Sequence, residues 1–253
     1  MTFSKVAHAI PEALGNKNII LTEECDECNS YFGNNIEPQL IENLNVYRSV
    51  YGIKGKRGSP TISYSNGKIY RDASGAVISV EKPNRISDNE VVINFANPSK
   101  LIPLKLYKAL CKITLSTINE EHLKYLGLTL QWLRYDTAPE GALPKVAVNI
   151  INSKFTEHPK IVNYIRKTEH GESPHIVSEF RVGGYTYVYI VPFSSADHLD
   201  FSDPKNFDSY WDLFIYYQQF EGWGFEDYSS SKEISFNEGI RIKAVEQSGD
   251  QHI

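Results

Sequence analysis

No stretch of this sequence approaches the ~18 consecutive apolar residues that a membrane-spanning helix needs, so a transmembrane protein is not expected. The opening residues, Met-Thr-Phe-Ser-Lys-Val-Ala-His, lack a charged segment leading into an apolar one, so no secretory leader is expected either. Cysteine is scarce. Three in 253 residues cannot form a disulfide framework, and Cys25 and Cys28 stand only three apart, which points to a metal knuckle in a reducing, cytoplasmic setting. A basic excess is missing as well: 26 Lys+Arg against 31 Asp+Glu leave a net charge of −5, which argues against a general nucleic-acid coat. Internal repeats and low-complexity tracts are absent. What remains is the composition of an ordinary globular chain, 41% hydrophobic and 23% charged, long enough for one or two domains with a real core.

Charge is nevertheless uneven along the chain. Residues 1–42 carry a net −5, whereas residues 43–71 carry Arg48, Lys54, Lys56, Arg57, Lys68 and Arg71 and no acid. A basic stretch after an acidic, cysteine-bearing one fits a phosphate-contacting strip beside a metal site, and equally fits a solvated loop and hairpin. Residues 1–50 read as a first unit. Gly52, Gly55, Gly58 and Pro60 punctuate a basic linker over 51–60, and residues 61–253 read as a larger domain.

Within that domain, Thr61–Tyr64 and Lys68–Arg71 flank Ser65-Asn66-Gly67, and Asn-Gly is the strongest short hairpin signal. Val91–Phe95 reads as a short buried strand. Apolar residues recur at mostly three- and four-residue gaps from Lys100 to Thr117 and again from Glu120 to Arg134, which predicts two amphipathic helices parted near Asn119. Cys111, set among Leu110, Ile113 and Thr114, is expected in the core. Strand patterns follow at Val146–Ile151, Ile161–Ile165, His175–Val182 and Tyr185–Pro192, the last two joined through Gly183-Gly184. Residues 206–220 are aromatic-rich and ambiguous between helix and strand. Ile234–Phe236 and Ile240–Val245 suggest a closing hairpin. The predicted class is α+β.

The informative segment runs His8-Ala-Ile-Pro-Glu12-Ala-Leu-Gly15 and then Cys25-Asp-Glu-Cys28-Asn29. A histidine ends a short strand, a Gly-Asn turn and Ile19-Ile20 follow, and Cys-x-x-Cys-Asn opens a helix through Phe32, Ile36 and Leu40. Over about residues 3–45 this joint pattern resembles the HNH endonuclease family, in the variant whose second cysteine pair is followed by Asn. The resemblance implies a ββα-metal nuclease module, a two-stranded hairpin packed on one helix around a divalent metal (Mg²⁺ or Mn²⁺). It implies DNA as the partner and phosphodiester hydrolysis as the reaction. It also implies the settings in which the family occurs, among them restriction, mobile-element and phage-defence systems.

Such hydrolysis needs a base for water, a divalent metal at the scissile phosphate and a rigid frame for both. His8 is the expected base, because a neutral imidazole accepts a proton at cellular pH. The resemblance makes Asn29 the helix-borne metal ligand or metal-water contact. It also asks for a loop Asn that braces the base; Asn18 is the first choice and Asn16 the second. Glu12, four residues after His8, is close enough in sequence to reach the metal or orient the imidazole. Each has a plainer reading: His8 as an exposed strand end, Asn29 as a helix cap, Glu12 as a first-turn acid. Arg48, Lys54, Lys56 and Arg57 are expected to hold phosphates.

Cys25 and Cys28 make half of a tetrahedral thiolate zinc site, and a closed structural site takes four ligands. The resemblance implies a further Cys-x-x-Cys before the histidine strand. The chain begins seven residues before His8, and such a pair is expected upstream of Met1; a knuckle without zinc, or one completed by a partner, are the alternatives. Ala7 stands where many HNH sites carry Asp or His. Elsewhere, Asp197-His198-Leu-Asp200 reads as a solvated turn, and His170 and His175 as loop residues. Tyr185, Tyr187 and Tyr189 read as a packed sheet face, and the aromatics from Tyr210 to Phe225 as core. Two functions stand: a metal-dependent nuclease, or a nucleic-acid-binding or regulatory protein with a degenerate nuclease module.

Overall fold

In the computed structural model two short strands, β1 (Ala7–His8) and β2 (Ile20–Leu21), pair antiparallel with His8 opposite Ile20. The structure describes residues 1–81, 84–87, 90–94, 99–135, 137, 142–150, 156–168, 171–212, 222–236 and 239–243. The expected strand ends at Phe95, Ile151 and Val245, His170, and residues 213–220 lie outside these. Helices α1 (Asp26–Asn35), α2 (Glu37–Asn43) and α3 (Asn45–Tyr51) follow the strand pair. One helix was expected through Leu40. Pro38 breaks it, because proline has no N–H to continue α1 and its ring crowds the carbonyl four residues back.

Three strands, β3 (Ile62–Tyr64), β4 (Gly67–Asp72) and β5 (Gly75–Val80), form an antiparallel sheet that packs on Val46 and Val50 of α3. Tyr64 lies opposite Gly67, so Ser65-Asn66 is a two-residue hairpin turn. Next come β6 (Asn84–Ser87), β7 (Glu90–Asn94), β8 (Ser99–Leu101) and helix α4 (Pro103–Leu115). The second predicted helix is two pieces, α5 (Glu120–Leu123) and α6 (Gly127–Tyr135). Between them the Tyr125 carbonyl accepts the Ser195 amide at 2.8 Å instead of continuing a helical ladder.

The chain continues through β9 (Val146–Ile150), β10 (Thr156–Ile165), β11 (Ile176–Gly183), β12 (Tyr185–Ile190), α7 (Pro204–Trp211) and β13 (Gly224–Glu226). Its last described strands are β14 (Ile234–Phe236) and β15 (Gly239–Lys243). The sheet order β10-β11-β12-β9-β13 gives five antiparallel strands. The expected closing hairpin does not form. β14 pairs with β8 and β15 with β7, so both strands return to partners that precede α4.

Helix α4 is buried on every side, with Leu106, Tyr107, Lys108, Leu110, Cys111, Ile113 and Thr114 at 0% exposure, as befits a helix lying between layers. On one side Tyr107 Oη donates to the Ile190 carbonyl at 2.8 Å and Thr114 Oγ1 to Ser178 Oγ at 2.8 Å, which fixes the helix to the five-stranded sheet. On the other it packs against α2. One core therefore joins Ile10, Leu14, Ile36, Leu40 and Leu44 of the first 45 residues to Leu110, Trp132, Phe180, Tyr187 and Tyr189. The tyrosine stripe is a packed sheet face: Tyr187 and Tyr189 enter this core, while Val188 and Ile190 point to the far side under Phe207 and Tyr210 of α7. Among the described residues, no helix is long and apolar enough to cross a membrane.

Candidate active site

The loop between β1 and β2 is ordered by one side chain. Pro11 leads into a 3-10 turn over Glu12–Leu14, and Gly15 ends it at φ +91°, a left-handed conformation that glycine adopts without strain. Asn16 follows, 4% exposed, and its carboxamide makes four hydrogen bonds. Its Nδ2 donates to the Ile10 carbonyl at 2.8 Å and the Ile19 carbonyl at 3.1 Å. Its Oδ1 accepts from the amides of Asn18 at 3.2 Å and Ile19 at 3.0 Å. This uses the full capacity of an amide side chain. Asn16, not Asn18, braces the loop that follows His8; Asn18 is exposed and contributes only its backbone N–H. A buried polar side chain after the turn glycine is the signal that separates the two.

The start of α1 is tied to the approach to β1. Asp26 accepts the backbone amides of Ser4 at 2.9 Å and Lys5 at 2.8 Å and the Ser4 hydroxyl at 2.7 Å. These bonds, with one from Thr2 as the largest contribution, hold its carboxyl far below the usual carboxylate range. The helix cap is Cys25, whose Sγ accepts the Cys28 amide, so Asn29 is not the cap. Asn29 lies one residue further into the helix, and its Nδ2 donates to the Val6 carbonyl at 3.3 Å. Among the described residues its amide oxygen has no hydrogen-bond partner.

His8, Glu12 and Asn29 line one open cleft of about 1020 Å³, together with Lys5, Glu37, Arg48, Lys56 and Arg57. His8 Nε2 lies 3.7 Å from Glu12 Oε2, and Lys56 Nζ lies 3.6 Å from the same oxygen. His8 Nδ1 is buried and has no hydrogen-bond partner among the described residues. An unpaired buried nitrogen is uncommon and marks a site that asks for a ligand or water. Ala7, before the histidine, is fully buried and offers no donor.

The basic residues divide by role. Gly55 and Gly58 exchange backbone hydrogen bonds at 3.2 and 3.0 Å, forming a tight turn that carries exposed Lys56 and Arg57 at its tip over the cleft. The segment expected as a linker is thus a built turn, anchored by buried Ile53. Arg48 is 8% exposed, and its guanidinium donates to the Ala13 carbonyl at 2.7 Å and to Asn45 Oδ1 at 2.8 Å. It clamps α3 to the Glu12–Leu14 turn instead of standing free for phosphate. Lys54 is exposed and does not line the cleft. Lys5, which the sequence does not single out as a site residue, lines the cleft.

Donor chemistry distinguishes the two metals. The Glu12 carboxylate and the Asn29 amide oxygen fit a hard divalent cation held through a few protein atoms and water. They do not form a closed cage; among the described residues no three His, Cys, Asp or Glu converge as a metal-holding group. Cys25 and Cys28 sit on a different cleft, lined by Phe3, Leu21, Phe32 and Arg134. The Cys28 amide lowers the Cys25 thiol pKa, and burial raises that of Cys28. Two thiols without a further ligand among the described residues do not fit a closed zinc site, and Cys111 lies in the main core.

A second polar cluster lies away from this cleft. His175 is buried, with Nδ1 2.7 Å from Ser194 Oγ, and its amide donates to Asp197 Oδ1 at 2.6 Å. Asp197 therefore does not lie in a solvated turn, although Asp200, which accepts the Ser202 amide and hydroxyl, does. Burial pushes His175 down to about 4 and Asp197 up to about 6.

Residues 2–45 match the family profile described as HNH endonuclease. No curated protein and no solved structure matches the chain. The paired strands β1 and β2 with helix α1, which carry that match, are an HNH endonuclease domain at the N-terminus of this α+β chain.

Proposed function

We propose that this protein is a metal-dependent endonuclease that hydrolyses phosphodiester bonds in DNA, with His8 as general base. The observation that carries the reading is the single open cleft that His8, Glu12 and Asn29 share with Lys5, Lys56 and Arg57. The cations at the rim attract a phosphate backbone without reading sequence. His8 takes a proton from the attacking water. Glu12, whose Oε2 lies 3.7 Å from His8 Nε2, shares the cleft with the Asn29 amide oxygen, and these two groups would hold Mg²⁺ or Mn²⁺. Such a cation supplies Lewis-acid stabilisation of charge on the phosphate. Asn16 braces the loop that follows His8. A restriction or phage-defence setting follows by family analogy alone.

One observation favours a second reading, a DNA-binding protein whose nuclease module no longer cuts. Ala7 is buried and replaces a side chain that in many HNH sites helps to hold metal. Incubation with supercoiled plasmid separates the two. The nuclease reading expects conversion to open circles with Mg²⁺ or Mn²⁺, abolished by EDTA. Salt-sensitive binding without conversion would establish the second reading.

A further inference from the structure

The candidate base is held from outside the domain that carries it. Lys112, on α4, is 3% exposed, and its Nζ donates to the backbone carbonyl of His8 at 2.6 Å. The same ammonium lies 3.0 Å from Glu37 Oε1 and 3.5 Å from Glu24 Oε2. An ammonium has three N–H donors, and here three acceptors surround it. All three belong to the nuclease domain or the helix after it: the last residue of β1, the residue before the α1 cap, and the first residue of α2. Glu37 also lines the cleft that contains His8.

Burying a lysine is costly and is tolerated only when its partners are fixed. A lysine serving only to fill the helix interface would be replaced without loss by an apolar residue of similar volume. Lys112 instead contacts the peptide group that sets the direction of the His8 side chain. The rest of α4 is locked to the sheet, through Tyr107 to Ile190, Thr114 to Ser178, and Tyr189 Oη to the Leu110 carbonyl at 2.8 Å. The five-stranded sheet, α4 and the His8 backbone therefore form one continuous hydrogen-bonded path.

We infer that Lys112 is a positioning residue for the proposed base, so that the α4–sheet domain completes the nuclease site rather than being joined to it by a tether. The inference rests on the endonuclease reading for its effect on cutting, but its effect on His8 is independent of it. Lys112 is buried and does not line the cleft, so its removal should change the chemical step and leave DNA binding alone.

The test compares the full chain with Lys112→Met. Because that change leaves Glu24 buried without its cation, Lys112→Met/Glu24→Gln is the second variant, with Glu24→Gln as control. Two readouts are taken on protein that is folded by circular dichroism. In uniformly isotope-labelled protein, the His8 ring resonances and the Ala9 amide should shift in both Lys112 variants, while those of His175, held by Ser194, stay in place. Single-turnover nicking at saturating plasmid should fall about tenfold or more, as a displaced reacting group does, with affinity for DNA within about threefold of wild type. Glu24→Gln should keep the wild-type rate within about threefold. Unmoved His8 resonances in a folded Lys112 variant, or a single-turnover rate equal to wild type, would overturn the inference. If the wild type does not cut at all, the endonuclease reading fails while the His8 resonances still decide whether Lys112 positions that residue.

Discussion

Oε2 of Glu12 stands between two groups of opposite use, 3.7 Å from Nε2 of His8 and 3.6 Å from Nζ of Lys56. One carboxylate thus touches both the candidate base and the tip of the basic turn, which are brought together across 48 residues of sequence. Glu12→Gln keeps the shape and removes the charge. Single-turnover cleavage should fall about 10–100-fold, in line with other outer-shell partners of metal sites, and the Mg²⁺ concentration for half-maximal rate should rise. A Mg²⁺ titration of the variant checks both. An unchanged titration would leave Glu12 as an ordinary first-turn acid.

The bracing role divides Asn16 from Asn18. Asn16→Ala removes a buried carboxamide that satisfies four backbone groups, which should cost about 1–3 kcal/mol of stability and at least about tenfold in cleavage rate. Asn18→Ala should leave both within error, since only the backbone of Asn18 is engaged. Thermal melts alongside nicking rates distinguish the pair.

Phosphate binding is assigned to the tip of the Gly55–Gly58 turn. Replacing Lys56 and Arg57 by Ala should weaken binding to all DNA sequences alike and flatten the dependence of log K on log salt by about 0.9 for each phosphate no longer neutralised. Lys54→Ala, outside the cleft, should leave the slope unaltered. Arg48→Ala should act through stability, lowering the melting temperature because the Ala13 carbonyl and Asn45 lose a buried guanidinium. Binding titrations at several salt concentrations separate these outcomes.

Much of this was legible in residue order, and the parts that were not share a cause. The spacing from His8 to Cys25, Cys28 and Asn29 announced a hairpin and a helix, because local turn and cap chemistry is written in neighbouring residues. The choice between Asn16 and Asn18 depended on which one is buried, a tertiary fact. Lys112 was invisible for the same reason. In the sequence it is a cation on an amphipathic helix, and only the packing of α4 between two layers turns it inward. Strands β14 and β15 read as a hairpin because they are close in sequence, yet each finds its partner about 130–150 residues earlier, where loop-closure entropy grows only slowly with distance.

The bond between His175 and Asp197 gives a pH signature independent of cutting. His175 is held near 4 in the folded chain, below its ordinary 6.5, so its share of stability is present above pH 6.5 and is lost as pH falls toward 4. Asp197 is raised from 3.8 to about 6, so its share is present at low pH and is lost as pH rises toward 6. The two slopes oppose each other between about pH 4 and 6. Asp197→Asn, which keeps an acceptor for the His175 amide, removes one of them. Its melting temperature should climb more steeply across that interval than that of the wild type. Parallel slopes in the two proteins would contradict the assignment.

The central claim is that the imidazole of His8 performs the chemistry. It is tested most directly by measuring nicking of supercoiled plasmid in Mg²⁺ by wild type and by His8→Ala, with DNA affinity determined for both. Loss of a general base should slow the reaction about 10²–10⁴-fold while binding persists. Equal rates for the two proteins would contradict the account.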